Sequence, residues 1–343
     1  MARDVDHRSA AYYEDKLAVL RDLWGTPAVS LERGCLVVRG RRYPIVDDVI
    51  VLLEPSQYPP RLAQRLQDSE GPRAAPDAGF APDIQYTFGE EWSAFPDILP
   101  EHEREFQLYF DLIDLGALRA WRVCDLGCGI GRWSLFLSRL CREIVLVDFS
   151  DAIFVARRNL AAASNALFFM GDLTKLEFRY GFADLVVCLG VLHHLPTPAL
   201  TEVRSLRRWS RRLLVYLYYA LDNRPVYFRW LLGLVGGMRA VLSRLVRNPG
   251  TRGALTWLLA GGLYLPLIGL GGLLRPVGWS RHVPLYETYA GKGLVRIRQD
   301  VYDRFFTRIE QRYAKRDILT LADAFSTLIV SEHSPYWHFY CEQ

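Results

Sequence analysis

The sequence predicts an α/β fold in which helices cover both faces of a doubly wound, mostly parallel sheet. Apolar runs of five to seven residues alternate with helical patterns, and each run ends in a polar residue or a glycine. The first run passes directly into a glycine-rich turn, since residues 123–134 read V-C-D-L-G-C-G-I-G-R-W-S. Such sheets bind ligands at the carboxyl ends of their strands, so we expect the functional site at that edge.

The glycine turn predicts a nucleotide-cofactor site. Gly127, Gly129 and Gly131 permit positive φ angles and a close approach of a ligand to the backbone. The dinucleotide fingerprint fits neither register, because its last position holds neither glycine nor alanine here. Asp125 would also repel a pyrophosphate, by roughly 4 kcal/mol at 4 Å and an effective dielectric near 20. A cationic cofactor without phosphate, such as S-adenosylmethionine, removes that conflict.

Acids also follow the next two strands. The predicted strand Glu143–Asp148 ends 23 residues after Asp125, about where a ribose-binding carboxylate is expected. We therefore assign Asp148 to the ribose hydroxyls. The strand Ala166–Met170 leads into Asp172, which we expect to accept a hydrogen bond from the adenine amine.

A fourth strand, at 183–189, is followed by L-H-H-L at 192–195. Together with the D-x-G-x-G-x-G turn, this resembles the class I S-adenosylmethionine-dependent methyltransferases over 88–219 and from 315 to the end. The resemblance implies a Rossmann-like, seven-stranded sheet whose last strand is antiparallel, with a terminal hairpin at 326–331 and 336–341. The alternative is a similar sheet whose glycines serve packing alone. The cofactor-binding residues that the resemblance implies are Asp125, Gly127, Gly129, Gly131, Asp148, Phe149, Asp172, Leu173 and Leu189.

Two histidines are the candidate catalytic residues. Methyl transfer depends mainly on proximity and alignment, and it needs a base only where the acceptor must lose a proton. His193 and His194 lie where the acceptor should arrive, and imidazole suits the deprotonation of a hydroxyl. The alternative is that they only hydrogen-bond the loop. The N/D-P-P-Y/F motif of nucleic-acid amino methyltransferases is absent after strand four, which favours a small-molecule or lipid acceptor.

Acceptor-binding candidates lie in three places. In the methyltransferases that this chain resembles, a helix before the first strand covers the cofactor. Trp92 and Phe106, the latter in a helix predicted at 101–118, are therefore candidates for this cover, and core packing is the alternative for each. One polar cluster leaves strand five at 218–224, and another returns from an insertion at 300–305. The charges of these two clusters could instead pair with each other. The candidates are Trp92, Tyr218, Tyr219, Asp222, Arg224, Asp303 and Arg304.

The inserted segment, 220–314, carries an unusual charge pattern. Between Arg207 and Arg281 there are twelve arginines, no lysine and one acid, so this stretch is +11 in a chain of net charge +4. Residues 227–245 predict a helix with one apolar stripe. Arg229, Arg244 and Arg247 are expected opposite that stripe.

An uncharged run of 22 residues follows at 253–274, long enough to cross a bilayer. Pro266 and several glycines argue against one straight span. Three interpretations stay open: a helical cap that roofs the acceptor pocket or forms a homodimer, a surface that docks on anionic lipid, and a transmembrane helix. Nucleic acid is not expected as a partner, because leucine, glycine and aromatic residues dominate the segment.

The first 68 residues are predicted to form a separate module. Residues 34–53 predict a hairpin that turns near Gly40 and resemble the second half of a Trm112-like zinc-ribbon domain. Of that family's zinc cysteines at most Cys35 is present, so we expect no metal. Residues 69–87, whose first part is rich in proline, glycine and alanine, are predicted as a linker to the core at 88–219, and 315–343 complete that core.

The six cysteines include no C-x-x-C pair, and no signal peptide is visible, so we expect a cytoplasmic protein with reduced thiols. Membrane association depends on how the insertion is used. Taken together, the sequence predicts a methyltransferase that O-methylates a hydrophobic or lipid-linked small molecule. The alternative is a non-catalytic scaffold that binds the cofactor and docks a membrane or protein partner through the cap.

Overall fold

One mixed sheet of eleven strands organises the protein, and the computed structural model describes residues 8–66, 80–246 and 248–343. The order along the sheet is β1-β2-β3-β4-β7-β6-β5-β8-β9-β11-β10. The strands are β1 (Val29–Glu32), β2 (Cys35–Val38), β3 (Arg41–Val46), β4 (Val49–Val51), β5 (Arg122–Leu126), β6 (Glu143–Asp148), β7 (Ala166–Met170), β8 (Leu185–Leu189), β9 (Arg212–Tyr216), β10 (Thr327–Val330) and β11 (Phe339–Glu342).

The central strands, from β4 to β9 in the sheet order, pair in parallel, whereas β11 runs antiparallel to both of its neighbours. Alternate residues of these strands enter two apolar cores, one on each face: Cys124 and Val145 lie in one, and Val123 and Ile144 in the other. The parallel strands therefore read as continuous apolar runs, as a sheet covered on both faces requires.

The α-helices are α1 (Arg8–Glu14), α2 (Leu17–Trp24), α3 (Pro60–Arg65), α4 (Pro82–Ala94), α5 (Glu101–Tyr109), α6 (Arg132–Leu137), α7 (Ala152–Asn159), α8 (Ala199–Ser205), α9 (Val226–Leu245), α10 (Pro249–Leu259), α11 (Leu265–Leu274), α12 (Tyr286–Tyr289), α13 (Leu294–Phe306) and α14 (Lys315–Leu319). Helices α9 to α13 form the insertion between β9 and α14, and we call them the cap.

The N-terminal strands extend the central sheet, which differs from the separate module and the seven strands expected from sequence. Strand β4 pairs in parallel with β7 in the register Val49↔Phe168, and all three β4 residues are buried. The Tyr13 hydroxyl donates to the Asp48 carbonyl at 2.7 Å and fixes this junction. This pairing covers an open edge of the core sheet, and it also covers an apolar three-residue strand. The hairpin turn at Gly40 is confirmed.

Two boundaries also differ from expectation. Helix α4 begins at Pro82, inside the predicted linker, while 67–79 lie outside the described residues. Helix α5 ends at Tyr109 rather than near 118. After it, Asp111 binds the His338 ring at 2.6 Å, and Asp114 accepts a hydrogen bond from the backbone N–H of Gly116. These side-chain contacts offer the backbone an alternative to a continued helix.

Helix α9 covers the segment predicted as amphipathic, but most of its apolar stripe faces solvent. The face that packs inward, on α13, carries Val235 and Leu242. Arg229 and Arg244 are exposed, and Arg247 lies outside the described residues.

Helices α10 and α11 are joined by a π-helical turn, Ala260–Tyr264, into one rod, Pro249–Val277. Pro266 would clash with the carbonyl of Gly262 in a regular α-helix. The wider π turn contains Gly262, so the rod continues past the proline.

Candidate active site

The glycine turn after β5 is packed too tightly for side chains at two of its three glycines. Gly127 has φ +72°, and a Cβ there would lie 2.4 Å from Val191 Cγ2. Gly131 has φ +74°, and a Cβ there would lie 2.7 Å from Leu160 Cδ1. Both positions require glycine for backbone conformation and for space.

The third glycine forms a contact with an aromatic side chain of α4. A Cβ at Gly129 would lie 3.2 Å from the Trp92 indole nitrogen. Trp92 therefore covers the turn, in agreement with its expected position over the cofactor. Phe106, the other candidate for a covering residue, is buried against Phe110 and Phe136 in the core.

Asp125 lies beneath the turn, which differs from its expected place on the cofactor. Its Oδ2 accepts a 2.5 Å hydrogen bond from Ser134 Oγ, and the residue does not line a cavity. Burial, with a smaller contribution from the charge of the neighbouring Asp148, raises the pKa of Asp125 to about 7, although the Ser134 hydrogen bond acts in the opposite direction. The carboxyl group is therefore close to half protonated at neutral pH. Gly131 likewise packs on α7 instead of lining the cavity.

Asp148 holds the turn in place from the end of β6. Its Oδ2 accepts from the Gly129 N–H at 2.9 Å, and its Oδ1 accepts from both N–H and Oγ of Ser150 at 2.9 and 2.7 Å. Burial raises the pKa of Asp148 against these hydrogen bonds. Each carboxylate oxygen has two acceptor sites, so Oδ2 keeps one for a ligand hydroxyl.

A cavity lies directly over this turn. Asp172 lines it from the end of β7, with Oδ1 held by Thr174 N–H and Oγ1 at 2.9 and 2.7 Å. Most of the predicted cofactor-binding residues share the same cavity, namely Gly127, Gly129, Asp148, Phe149, Asp172, Leu173 and Leu189.

A second, larger cavity of about 680 Å³ opens between the sheet edge and the cap. Its inner end is charged, and its outer end is lined by apolar residues of α9 and of the α10–α11 rod. The two cavities share the wall formed by Phe88, Trp92, Arg132, Trp133, Leu189 and Gly190. A molecule in the large cavity would therefore lie next to a molecule in the cofactor cavity.

The two histidines have different surroundings. His193 is fully buried and lines neither cavity: its ring stacks on Tyr218 with centroids 3.9 Å apart, and its Nδ1 accepts from the Tyr218 N–H at 3.3 Å. Burial holds the pKa of His193 well below its ordinary value. The expected catalytic role is therefore corrected to a structural one, because no ligand in either cavity can reach this ring.

His194 lines the cofactor cavity. Its Nδ1 lies 2.7 Å from the carbonyl oxygen of Ile309, so Nδ1 carries the proton in the neutral ring. Its Nε2 lies 3.7 Å from Asp303 Oδ1. The lone pair of His194 thus faces a carboxylate of the cap.

Asp303 is the acid at which the core and the cap meet. The Tyr218 hydroxyl donates to Asp303 Oδ2, and Thr307 Oγ1 donates to Oδ1 at 2.8 Å. Burial, and next the Asp303 charge, hold the pKa of Tyr218 well above its ordinary value, so this hydroxyl stays protonated. Both side chains line the large cavity.

The other acceptor candidates divide into two groups. Tyr219, Arg224 and Arg304 line the large cavity, as expected. Asp222 does not: its carboxylate accepts from the Lys315 N–H at 2.9 Å and from the Trp337 indole at 2.5 Å. Asp222 therefore fastens the C-terminal segment to the loop after β9, and its expected contact with the acceptor is corrected.

Sequence reasoning did not select several charged residues that line the cavities, and Arg132 and Glu91 are two of them. Arg132 lines both cavities and lies over the Trp133 ring, 4.7 Å from its centroid. Glu91 lines the large cavity and is 1% exposed, and burial raises its pKa well above the ordinary value. Burial therefore favours the neutral form of the Glu91 carboxyl group. Arg132 directly follows the glycine turn at the start of α6, and this position in the sequence could have identified it as a site residue.

The sequence of the core matches a known domain family. Residues 123–213 match the family model described as a methyltransferase domain. A magnesium-protoporphyrin O-methyltransferase of Synechocystis sp. is 34% identical over 91 residues, which are 25% of this chain and 38% of that protein. A ubiquinone biosynthesis O-methyltransferase of Hahella chejuensis is 29% identical over 161 residues, which are 46% of this chain and 66% of that protein.

Solved structures with a similar core include magnesium protoporphyrin IX methyltransferase from Synechocystis with bound S-adenosylmethionine. It is 24% identical, covers 47% of this chain and 88% of its own, and gives a TM-score of 0.33. A phosphoethanolamine N-methyltransferase of Haemonchus contortus with S-adenosylhomocysteine is 23% identical over 39% of this chain and 31% of its own, also at a TM-score of 0.33. The chain spans less than two thirds of the length of either curated relative.

S-adenosylmethionine fits the residues around the turn. Its ribose hydroxyls match the free acceptor site on Asp148, its carboxylate matches the guanidinium of Arg132, and it brings no phosphate to the acids at the strand ends. The family match identifies residues 123–213 as a methyltransferase domain, and the sheet and turn that these residues form agree with the class I S-adenosylmethionine-dependent fold expected from the sequence.

Proposed function

We propose that this chain transfers a methyl group from S-adenosylmethionine to an oxygen atom of a small molecule with a large apolar part. The observation that carries the proposal is the wall shared by the two cavities. Catalysis of methyl transfer is mainly alignment of the acceptor behind the methyl group. Two adjoining cavities that share lining residues would supply that alignment.

S-adenosylmethionine supplies an electrophilic methyl group when bound. The residues of this chain then have to remove the acceptor proton, and Tyr218 with Asp303 is suited to do so. The acceptor hydroxyl would donate its proton to Tyr218 Oη as the new carbon–oxygen bond forms and the methyl–sulfur bond breaks, which leaves a neutral thioether, and Tyr218 would pass its own proton to Asp303 Oδ2. Asp303 ends protonated, with its Oδ1 held by Thr307. Proton transfer of this kind contributes about 10²- to 10⁴-fold to a rate.

The size and lining of the large cavity support an acceptor with an apolar part. The outer wall includes Phe228, Leu231 and Leu232 of α9, and Leu263 and Leu267 of the rod. Tyr218 and Asp303, the hydroxyl and carboxyl groups proposed to take the acceptor proton, line the same cavity. An acceptor would therefore place its reacting oxygen inside and its hydrocarbon portion under the cap.

The similarity to two O-methyltransferases supports oxygen as the acceptor atom. Their names describe the O-methylation of magnesium-protoporphyrin and an O-methylation step of ubiquinone biosynthesis. The two matches cover 25% and 46% of this chain, so the acceptor itself is not carried over.

The test combines cofactor binding with a search for product. We expect calorimetry to show binding of S-adenosylmethionine, and a cell extract supplied with methyl-labelled cofactor to yield one labelled, organic-soluble product. The variant Asp303→Asn should bind the cofactor normally and form no product. The matched control is Asp323→Asn, an exposed acid paired with Arg204 outside both cavities. Cofactor binding without any product would favour the non-catalytic scaffold.

A further inference from the structure

Helix α9 presents an apolar face to solvent. Trp230 is 77% exposed, and Leu234, Val241 and Leu245 on the same side are also exposed. A neighbouring side of the helix packs on α13 through Val235 and Leu242. The apolar residues on the outer side therefore do not serve the packing of this chain.

The α10–α11 rod presents a second face of the same kind. Leu258 and Leu270 are exposed, and Leu273 is 79% exposed. Between 253 and 274 the rod carries no charge. By length and composition the rod could cross a membrane. Only 17% of its most apolar window is buried, whereas the core helix of a soluble protein would be mostly buried. A large apolar surface of this kind marks an interaction site.

The charges around both faces are of one sign. No acid occurs from 223 to 286. Arg229, Arg244, Arg275 and Arg281 are exposed, and none of them forms an ion pair within the part of the chain that the structure describes. Exposed apolar faces on helices that also carry exposed arginines without an ion pair are complementary to an anionic lipid surface, where hydrocarbon lies beneath phosphate groups.

The rod is held to the rest of the cap along one side. Thr256, Ala260 and Tyr264 are buried, and Gly271 contacts the Tyr286 ring so closely that a Cβ would lie 2.3 Å from it. A helix that crossed the bilayer would have to leave these contacts. A helix that lies in the interface keeps them and buries only its outer side.

We propose that α9 and the α10–α11 rod dock the protein side-on onto an anionic lipid bilayer. Both helices pack on α13 and flank the large cavity, and Leu231 and Leu263, which line that cavity, are themselves partly exposed at its outer end. Docking therefore places the cavity entrance at the lipid surface. In so far as it names the source of the acceptor, this inference rests on the proposed function: an acceptor dissolved in the bilayer enters the cavity without crossing water.

Vesicle co-sedimentation of the full chain tests the docking without any need for catalysis. We expect binding to vesicles of phosphatidylcholine with phosphatidylglycerol, and much weaker binding to phosphatidylcholine alone. The double variant Trp230→Asp, Leu273→Asp should weaken binding by at least about tenfold. Its matched control is Tyr180→Asp, because Tyr180 is 80% exposed and lies before β8, at the end of the sheet where the parallel strands begin.

A second pair of variants tests the charges. The double variant Arg229→Gln, Arg244→Gln should bind the anionic vesicles about tenfold or more weakly than the parent protein. Added salt should weaken the binding of the parent protein to these vesicles in the same way. The control is Arg119→Gln, an exposed arginine just before β5. Circular dichroism should show all variants folded, since every substituted side chain is exposed.

Three outcomes would overturn the docking. One is no binding to anionic vesicles, and another is binding that the face and charge variants leave unchanged. The third is a homodimer, detected by light scattering, that the face variants dissociate, together with a parent protein that does not bind vesicles. A second copy of the chain would then cover these faces. Vesicle binding without methyl transfer would retain the docking and count against the proposed function alone, so the two can fail separately.

Discussion

The Tyr218 hydroxyl donates a hydrogen bond to the Asp303 carboxylate, and this contact joins the loop after β9 to cap helix α13. The two residues lie 85 positions apart in the chain. Both line the large cavity, so the cap supplies part of its inner, polar end as well as its roof. The cap is for this reason part of the proposed catalytic site.

Replacing the Asp303 carboxylate should therefore affect turnover more than cofactor binding. We expect Asp303→Asn to lower kcat by about 100-fold or more, because the amide cannot take the proton that Tyr218 passes on. Tyr218→Phe should have a similar effect. Single-turnover rates with the isolated acceptor, alongside calorimetry with S-adenosylmethionine, measure both. An unchanged kcat in Asp303→Asn would rule out this acid as the terminal base.

The glycine turn should not tolerate even one methyl group. In Gly127→Ala the new Cβ would meet Val191 Cγ2 at 2.4 Å, in addition to the strain of a positive φ. We expect a loss of stability of about 2–4 kcal/mol and a large loss of cofactor affinity. The matched control is Gly181→Ala, since Gly181 has φ +62° and nothing within 4 Å of its Cβ position. It should cost only the strain, about 1–2 kcal/mol.

Urea unfolding and calorimetry of both variants separate the two effects. The double variant Gly127→Ala, Val191→Ala should recover part of the stability, because it removes the contacting methyl groups. Equal losses at Gly127 and Gly181 would show that crowding at the turn contributes nothing.

The carboxyl-edge site was predictable because it depends on local pattern. The strands Glu143–Asp148 and Ala166–Met170 have the predicted bounds, and the acids after them line the cofactor cavity. Apolar runs and their polar ends are properties of contiguous residues, and parallel strands bring such ends to one edge.

The remaining features depend on contacts between distant residues. The pairing of β4 with β7 needs a free sheet edge, which no local pattern reveals. The direction of the His193 ring and the pairing of Tyr218 with Asp303 follow from how the cap sits on the core. Sequence reasoning found all three side chains but could not distinguish the buried histidine from the groups that line the cavity.

His193 should matter for folding and not for chemistry. In His193→Phe the stack on Tyr218 remains, but the buried N–H of Tyr218 loses its acceptor. We expect a loss of about 1–3 kcal/mol in the free energy of unfolding. Cofactor affinity should stay within about twofold of the parent value, which is a small energy on this scale. Denaturant unfolding and calorimetry check these expectations, and a variant of full stability that lacks turnover would restore the catalytic assignment.

Asp125 predicts how cofactor affinity depends on pH. Its pKa of about 7 means that the carboxyl is mostly protonated at pH 6 and mostly ionised at pH 8. A cationic sulfonium nearby favours the ionised form, so binding releases a proton below pH 7. By linkage, affinity should rise as the pH increases from 6 to 7 and level off above that, by up to about tenfold per pH unit.

The free protein should show the opposite trend in stability. The pKa of Asp125 is raised in the folded state above its ordinary value of 3.8, so the protonated form favours folding. This contribution is fully present below pH 3.8 and is lost as the pH rises through about 7. The variant Asp125→Asn should remove both pH dependences, in calorimetry with the cofactor and in urea unfolding without it. S-adenosylhomocysteine, whose sulfur is uncharged, is the matched ligand, and its affinity should change much less with pH. If both ligands respond equally, the charge of Asp125 is not what selects the cationic cofactor, and the conflict with a pyrophosphate loses its basis.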